Sequence, residues 1–296
     1  MTSLPSSHGR TRPRVAALLT AYEAGSFIQA TLDALSAQAC PELAILVSVD
    51  QCDDDTLALC RAHAKKDARF KVFAQTRRLG WINNSNFLLR QADADYALFA
   101  FHDDLLLPGC IEKLANELDR DPDAVLAYAD LQLDRLDGSR ELCTCPALDG
   151  NRDRVERAAR LLAREKNWWL PAHGLFRLPL ARDIGGLKHH NAGEFSADWP
   201  WLVHMSLLGT FRRVPEVLCC KTRRPDSLSP NWRFSRENWK DASAACMREI
   251  WNSRLPSDEK IALSGRFLQA MTRPRKGTHA LIERIARRFC KRRNKP

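Results

Sequence analysis

The stretch from 96 to 108, Tyr-Ala-Leu-Phe-Ala-Phe-His-Asp-Asp-Leu-Leu-Leu-Pro, limits the possible folds more than any other. Six mostly apolar residues run straight into His102-Asp103-Asp104, and Pro108 follows. A short continuous apolar run reads as a strand buried on both faces, the kind found in parallel sheets covered by helices. This strand ends in acid. In open parallel α/β sheets, ligands sit outside the carboxyl ends of the strands. Two adjacent carboxylates there repel each other unless positive charge lies beside them. A divalent cation held by one or two carboxylates plus substrate phosphates meets that need. The competing reading is an Asp-Asp cap on a helix from 105 to 118.

The preceding sequence repeats the pattern. Residues 14–22, 43–49 and 70–74 read as strands. Between them lie helical stretches carrying Phe27, Ile28, Leu32 and Leu35, then Leu57, Cys60 and Ala64, then Phe87 and Leu88. Such alternation implies βαβ units with right-handed crossovers and a parallel sheet. Each strand delivers polar groups at its C-terminal end: Thr20 to Glu23, Asp50, Gln75 to Arg78, and His102 to Asp104. Those ends share one edge of a parallel sheet, so they are read as one site.

Beyond it, the sequence predicts a helix over 109–120 and a strand over 124–133. A loop-like stretch over 134–153 and a helix over 154–164 follow. Next come an aromatic loop over 167–171, a short strand over 174–177, and a helix stopped by Gly185-Gly186. A helix over 198–208 and a strand over 211–221, broken by Pro215, complete this half. Helices over 235–253, 258–270 and 278–291 close the chain. The expected organisation is a disordered 1–12 and a domain over 13–232, divisible at 122/123. A helical extension spans 233–296.

With 45% hydrophobic residues in 296, the chain can bury a full core. Its net charge of +10 is concentrated. Residues 271–296 hold ten Lys/Arg against one acid, Glu283, which leaves the remainder near neutral. Aromatics do not interleave with that charge, so nucleic-acid binding is not expected. Leu281, Ile282, Ile285 and Phe289 share one face of a helix flanked by bases. This reads as a membrane-surface helix, with a solubilising tail as the alternative. The ten cysteines include no Cys-x-x-Cys pair, and a reducing, cytosolic setting is the simplest account. The apolar run at 15–19 is too short to span a membrane, and no convincing signal-peptide cleavage site follows it.

Six segments in order resemble the family 2 inverting glycosyltransferases of the GT-A fold, from about 15 to about 229. Val15-Ala-Ala-Leu-Leu-Thr-Ala-Tyr-Glu23 is similar to the family's opening strand and its Thr-x-Tyr-Asn loop. Leu46-Val-Ser-Val-Asp50-Gln-Cys-Asp-Asp-Asp-Thr56 is similar to its second strand and acidic turn. Arg78-Leu-Gly80-Trp-Ile-Asn-Asn-Ser-Asn86 resembles its Gly…Asn segment, and His102-Asp103-Asp104 falls on its Asp-x-Asp motif. Phe195-Ser-Ala-Asp198-Trp resembles its Glu-Asp motif, and Arg223-Arg-Pro-Asp-Ser-Leu-Ser229 its basic closing segment. The departures are Phe101 for the first Asp of Asp-x-Asp, Ala197 for the Glu of Glu-Asp, and Glu23 for Asn.

The resemblance implies an α/β GT-A fold and transfer from a UDP-, GDP- or dTDP-sugar to a glycan or lipid-linked hydroxyl. It implies that Thr20, Tyr22, Glu23 and Asp50 line the base and ribose pocket, with Gly80 and Asn86 also on the donor side. Asp103 is expected to ligate Mg²⁺ or Mn²⁺, with Asp104 or His102 assisting. Arg223 and Arg224 are expected on the diphosphate. Asp198 is expected to be the general base, with Trp169, His173 and Trp199 facing the acceptor. Asp50 as a turn residue, Asp198 as a helix cap and His173 as a structural histidine remain the alternatives. The rival function is a degenerate protein of this fold that binds nucleotide-sugar without turnover.

Overall fold

The computed structural model describes residues 13–224, 232 and 234–272. Strands β1 (Val15–Ala21), β2 (Leu43–Val49), β3 (Phe70–Ala74) and β4 (Tyr96–Phe101) form a parallel sheet in the order β3-β2-β1-β4. Helices α1 (Ile28–Ser36), α2 (Thr56–Ala64) and α3 (Gly80–Gln91) make the crossovers. β1, β2 and β4 are apolar on both faces because helices cover both, and nearly every residue in them is buried. Register brings their C-terminal ends level. Thr20 lies opposite Ser48 and Phe101, and Val49 opposite Ala21 and Ala74. The polar groups that follow these strands therefore stand along one rim.

The chain continues through β5 (Asp104–Leu106), α4 (Cys110–Arg120), β6 (Ala124–Asp134) and β7 (Arg140–Cys143). Then come α5 (Arg154–Leu162), β8 (Leu175–Arg177), α6 (Leu178–Asp183), α7 (Asp198–Leu208) and β9 (Thr210–Thr222). The sheet extends as β4-β8-β6-β9-β5, with β7 on β6. β8 runs antiparallel to both neighbours, β6 and β9 are parallel, and β5 is antiparallel to β9. The whole is a mixed, mostly parallel α/β sheet.

Three expectations change here. Asp104 does not cap a helix over 105–118; it opens β5, and α4 starts only after Gly109 at φ 77°. The stretch 134–153 is not all loop. Asp137-Gly138, a hairpin-turn pair, folds β7 back onto β6, with Asp137 accepting from the Ser139 N–H. Pro215 does not break β9. Val214 pairs with Ala129 and Val217 with Asp130, so Pro215 and Glu216 bulge outward, exposed, where the missing N–H costs nothing.

Helices α8 (Arg236–Asn252) and α9 (Ser257–Thr272) pack on α7 and α5. Ala242, Cys246, Ile250, Leu263 and Phe267 join the same continuous apolar core as β1 and β4. No described helix is long and apolar enough to cross a membrane. The expected disorder over 1–12, the helix over 278–291 and most of the basic closing segment lie outside the described residues.

Candidate active site

The rim divides into a donor end and a centre. At the donor end, Tyr22, Glu23, Gln51, Cys52, Asp53 and Asp54 line a cavity of about 400 Å³. Glu23 sits at φ 46°, in the left-handed region that a bulky residue seldom takes. The Arg78 guanidinium stacks 3.9 Å from the Tyr22 ring centre. Thr20 is half-buried one position inside the rim. Asp54 accepts from the Gly25 N–H and from Thr56, fixing the entry to α2.

Asp50 is buried, and both its oxygens are engaged. Oδ1 accepts from the Leu79 N–H at 3.0 Å and Oδ2 from the Gly80 N–H at 2.9 Å. Burial pushes its pKa up, and those two N–H groups and Arg78 pull it back. The carboxylate seats the N-terminus of α3, where backbone N–H groups have no helical partner. Gly80, at φ 77°, permits this, since a Cβ there would meet Glu194 Oε1 at 2.7 Å. Glu194, unforeseen from sequence, accepts from the Ile82 N–H on the same turn. Asn86 is also occupied, because its amide bonds both the N–H and the C=O of Leu187. Gly80 and Asn86 thus hold loops together, and neither is placed against the donor cavity.

At the centre, β5 pairs with β9 so that Asp104 lies directly opposite Lys221. Lys221 Nζ is 2.9 Å from Asp104 Oδ1 and 3.8 Å from Asp103 Oδ1. His173 Nδ1 lies 2.8 Å from Asp104 Oδ2. Burial would raise the pKa of Asp104, but Lys221 and His173 outweigh it and hold it at about 2. Burial likewise opposes the charge on Lys221, yet Asp104 and Asp103 hold its pKa above the ordinary lysine value. Phe101 packs against this group: its ring centre is 4.7 Å from His173, 5.5 Å from Lys221 Nζ and 6.3 Å from Trp81. Trp169 meets His173 edge-on at 5.3 Å. The His102 carbonyl accepts from Thr31, and its ring meets Phe27 at 5.3 Å. The Arg224 guanidinium lies over the same Phe27 ring, 4.3 Å from its centre. Arg223 is exposed.

Asp198 opens α7. Its Oδ1 is closed off from solvent and has no hydrogen-bond partner among the described residues. Burial pushes its pKa up to about 6, against the pull of His173, its own and Trp199's N–H groups, and Lys221. Asp198 and Asp104 are therefore governed by the same His173–Lys221 pair, with opposite outcomes. Asp104 touches both partners and stays ionised; Asp198 has no such contact and is held near neutrality in its titration.

Trp199 corrects an expectation. It is fully buried, donates from Nε1 to the Leu161 carbonyl, and packs against Trp168, Trp239 and Phe267. It fills the core beneath α8 and α9, so it cannot face an acceptor. Trp169 and His173 remain at the rim.

The residues present do not fit a divalent cation of the expected kind. The first motif carboxylate is replaced by Phe101, and both Asp104 oxygens face Lys221 and His173. Among the described residues, Asp104, His173 and Cys219 alone bring potential ligand atoms within 4.8 Å of one another. Burial holds the Cys219 thiol far above its usual pKa, and therefore protonated, and Lys221 already occupies Asp104. Asp103 has an ammonium 3.8 Å from its Oδ1. Two unit charges 4 Å apart repel by about 4 kcal/mol at an effective dielectric constant near 20, and a divalent ion doubles this.

Lys221 was not singled out from the sequence. It sits 117 residues from Asp104, at the end of an apolar run, and only strand pairing joins them.

Residues 17–135 match the sequence profile of glycosyl transferase family 2. An uncharacterized glycosyltransferase of Haemophilus influenzae is 30% identical over 108 residues, 36% of this chain and 33% of that protein. The match thus spans a third of that relative's length. Among solved structures, S. aureus TarS 1–349 in complex with UDP-GlcNAc superposes with a TM-score of 0.69 at 16% identity. That alignment covers 87% of this chain and 72% of TarS 1–349. The mannosyltransferase PcManGT of Pyrobaculum calidifontis, in complex with GDP-Man and Mn²⁺, gives a TM-score of 0.53 at 16% identity. It covers 93% of this chain and 80% of that one. At such identities these likenesses concern the fold.

Proposed function

We propose that the protein is a family 2 glycosyltransferase, on the strength of the profile match over residues 17–135, and that it moves a sugar from a nucleoside-diphosphate-sugar to an acceptor hydroxyl with inversion. The observation that carries this reading is Asp198. It is a carboxylate with one oxygen unbonded and closed off from solvent, and its pKa is pushed up to about 6. A general base works best when its pKa lies near the operating pH. In the step proposed, the acceptor oxygen attacks the anomeric carbon as its proton passes to Asp198. The bond from that carbon to the β-phosphate oxygen breaks, and its electron pair leaves with the nucleoside diphosphate.

The cavity at Tyr22, Glu23 and Asp53 is the proposed base and ribose site, with Arg78 stacked at its edge. Asp50 supports it from beneath by holding α3. Trp169 and His173 are proposed to meet the acceptor, a glycan or lipid-linked hydroxyl. The relatives' ligands, UDP-GlcNAc and GDP-Man, put UDP- and GDP-sugars first among donors to try, with dTDP-sugars third. We place the protein in the cytoplasm, touching the membrane through its basic C-terminal segment. The proposed organisation keeps 13–232 as the transferase unit, with 233–296 completing its core and supplying that contact.

A thermal-shift panel of UDP-, GDP- and dTDP-sugars tests the donor, followed by hydrolysis of whichever one binds. The expected result is one stabilising donor, slow hydrolysis by wild type and loss of hydrolysis in Asp198→Asn with binding retained. Binding without turnover in wild type, with any acceptor offered, would favour the degenerate reading that Phe101 and Ala197 motivate.

A further inference from the structure

We propose that Lys221, assisted by Arg224, carries the charge of the departing diphosphate, and that transfer proceeds without a divalent metal. This rests on the donor reading above and refines it. The position where an ion would bridge acid and phosphate is already held by a cation of the chain itself. Lys221 Nζ sits between the two acids, 2.9 Å from Asp104 and 3.8 Å from Asp103. Register enforces this, because Asp104 and Lys221 are direct partners across β5 and β9. The Lys221 side chain keeps 19% exposure while that of Asp104 keeps 4%.

A lone lysine between two carboxylates leaves the centre net negative, which would repel a diphosphate. The rim supplies the balance. Arg224 stacks on Phe27, whose ring meets His102 next to Asp103. Arg224 Nε is closed off from solvent and makes no hydrogen bond among the described residues. Arg78 stands over Tyr22 at the donor cavity. A guanidinium fork suits phosphate oxygens, and an ammonium serves as a point charge. Together these groups provide the positive charge aimed at the leaving group that catalysis of this step requires. Asp103 and Asp104 then orient Lys221 rather than an ion, and Phe101 walls the group without adding a third acid.

As the bond to the anomeric carbon breaks, the electron pair moves onto the β-phosphate oxygen. That oxygen becomes the acceptor for the Lys221 and Arg224 N–H groups. The proton of the acceptor hydroxyl goes to Asp198. No other co-reactant is needed.

The test uses the full chain and free UDP, GDP and dTDP as probes, by calorimetry in excess EDTA and again in Mn²⁺. The inference expects one of them to bind within about threefold under both conditions, and donor hydrolysis to survive EDTA. Lys221→Met paired with Asp104→Asn, which avoids stranding a buried acid, should lose at least tenfold in affinity while Lys221→Arg retains most of it. The unliganded melting temperature of each variant reports folding, and the EDTA comparison on wild type stands whatever the variants do. Binding or hydrolysis that appears only with Mn²⁺ would overturn the inference and leave the transferase reading intact. An undiminished affinity in the paired variant would overturn it as well. Absence of binding under both conditions would take down the donor reading together with this one.

Discussion

Asp198 and Asp104 show how one pair of neighbours can leave two carboxylates in opposite states. Asp104 is in contact with Lys221 and His173 and is held at about 2. Asp198 feels both more weakly and is raised by burial to about 6. The raised group binds an extra proton in the folded state between roughly pH 4, the unfolded value, and pH 6. The stability from that proton is present below pH 4 and is lost as pH rises through 6. Asp198→Asn should therefore melt higher than wild type at pH 8, by roughly 1–3 kcal/mol of stability, with the gap closing toward pH 4. Transfer should fall by about 10²- to 10⁴-fold in the same variant. In wild type the rate should drop below pH 6 with the loss of one ionised group. A pH–rate profile whose limb survives in Asp198→Asn would remove this residue from the chemistry. That Asp198 is a candidate base was legible in its motif; its unbonded oxygen was not, because burial comes from packing.

α3 is the element on which the donor end rests. Its first turn is held by Asp50 through two N–H groups and by Glu194 through a third. Acids at a helix N-terminus stabilise it through both hydrogen bonds and the helix dipole. Asp50→Asn would turn an NH₂ donor toward an N–H donor and should cost about 1–3 kcal/mol in urea unfolding. Gly80→Ala should cost a similar amount, since alanine disfavours φ 77° and its Cβ would crowd Glu194. Donor affinity lost in Asp50→Asn with stability untouched would instead make Asp50 a direct ligand. The sequence marked both positions, since an acid ending a buried strand and a glycine opening a helix are local signals. Whether the acid meets a helix or a nucleotide depends on where α3 begins relative to β2, a spatial matter.

Over the whole molecule, the C-terminal helices complete the core. Trp239 of α8 and Phe267 of α9 both pack on the buried Trp199. Truncation before α8 should abolish cooperative unfolding, whereas deleting 273–296 should leave the melting temperature unchanged. That second deletion removes most of the chain's net positive charge. It should also abolish sedimentation with vesicles rich in anionic lipid, at about 1 kcal/mol per basic residue near the surface. Vesicle binding that persists after the deletion would place the membrane contact elsewhere. Read from sequence, 233–296 is an extension because its composition changes at 234. Its contribution to the core is invisible there, since the apolar residues of α8 and α9 find their partners far back along the chain.

Local chemistry alone was enough to establish the four parallel strands, the crossovers between them and the polar groups at their ends. Continuous apolar runs and the residues closing them are read within a few positions, and a parallel register then forces those ends level. The return of β9 beside β5 set the rest. Which cation sits between Asp103 and Asp104, which tryptophan lies inside and which acid keeps an oxygen unbonded all follow from segments distant in sequence meeting in space. No local pattern encodes such meetings, because they arise from packing free energy summed over the whole core.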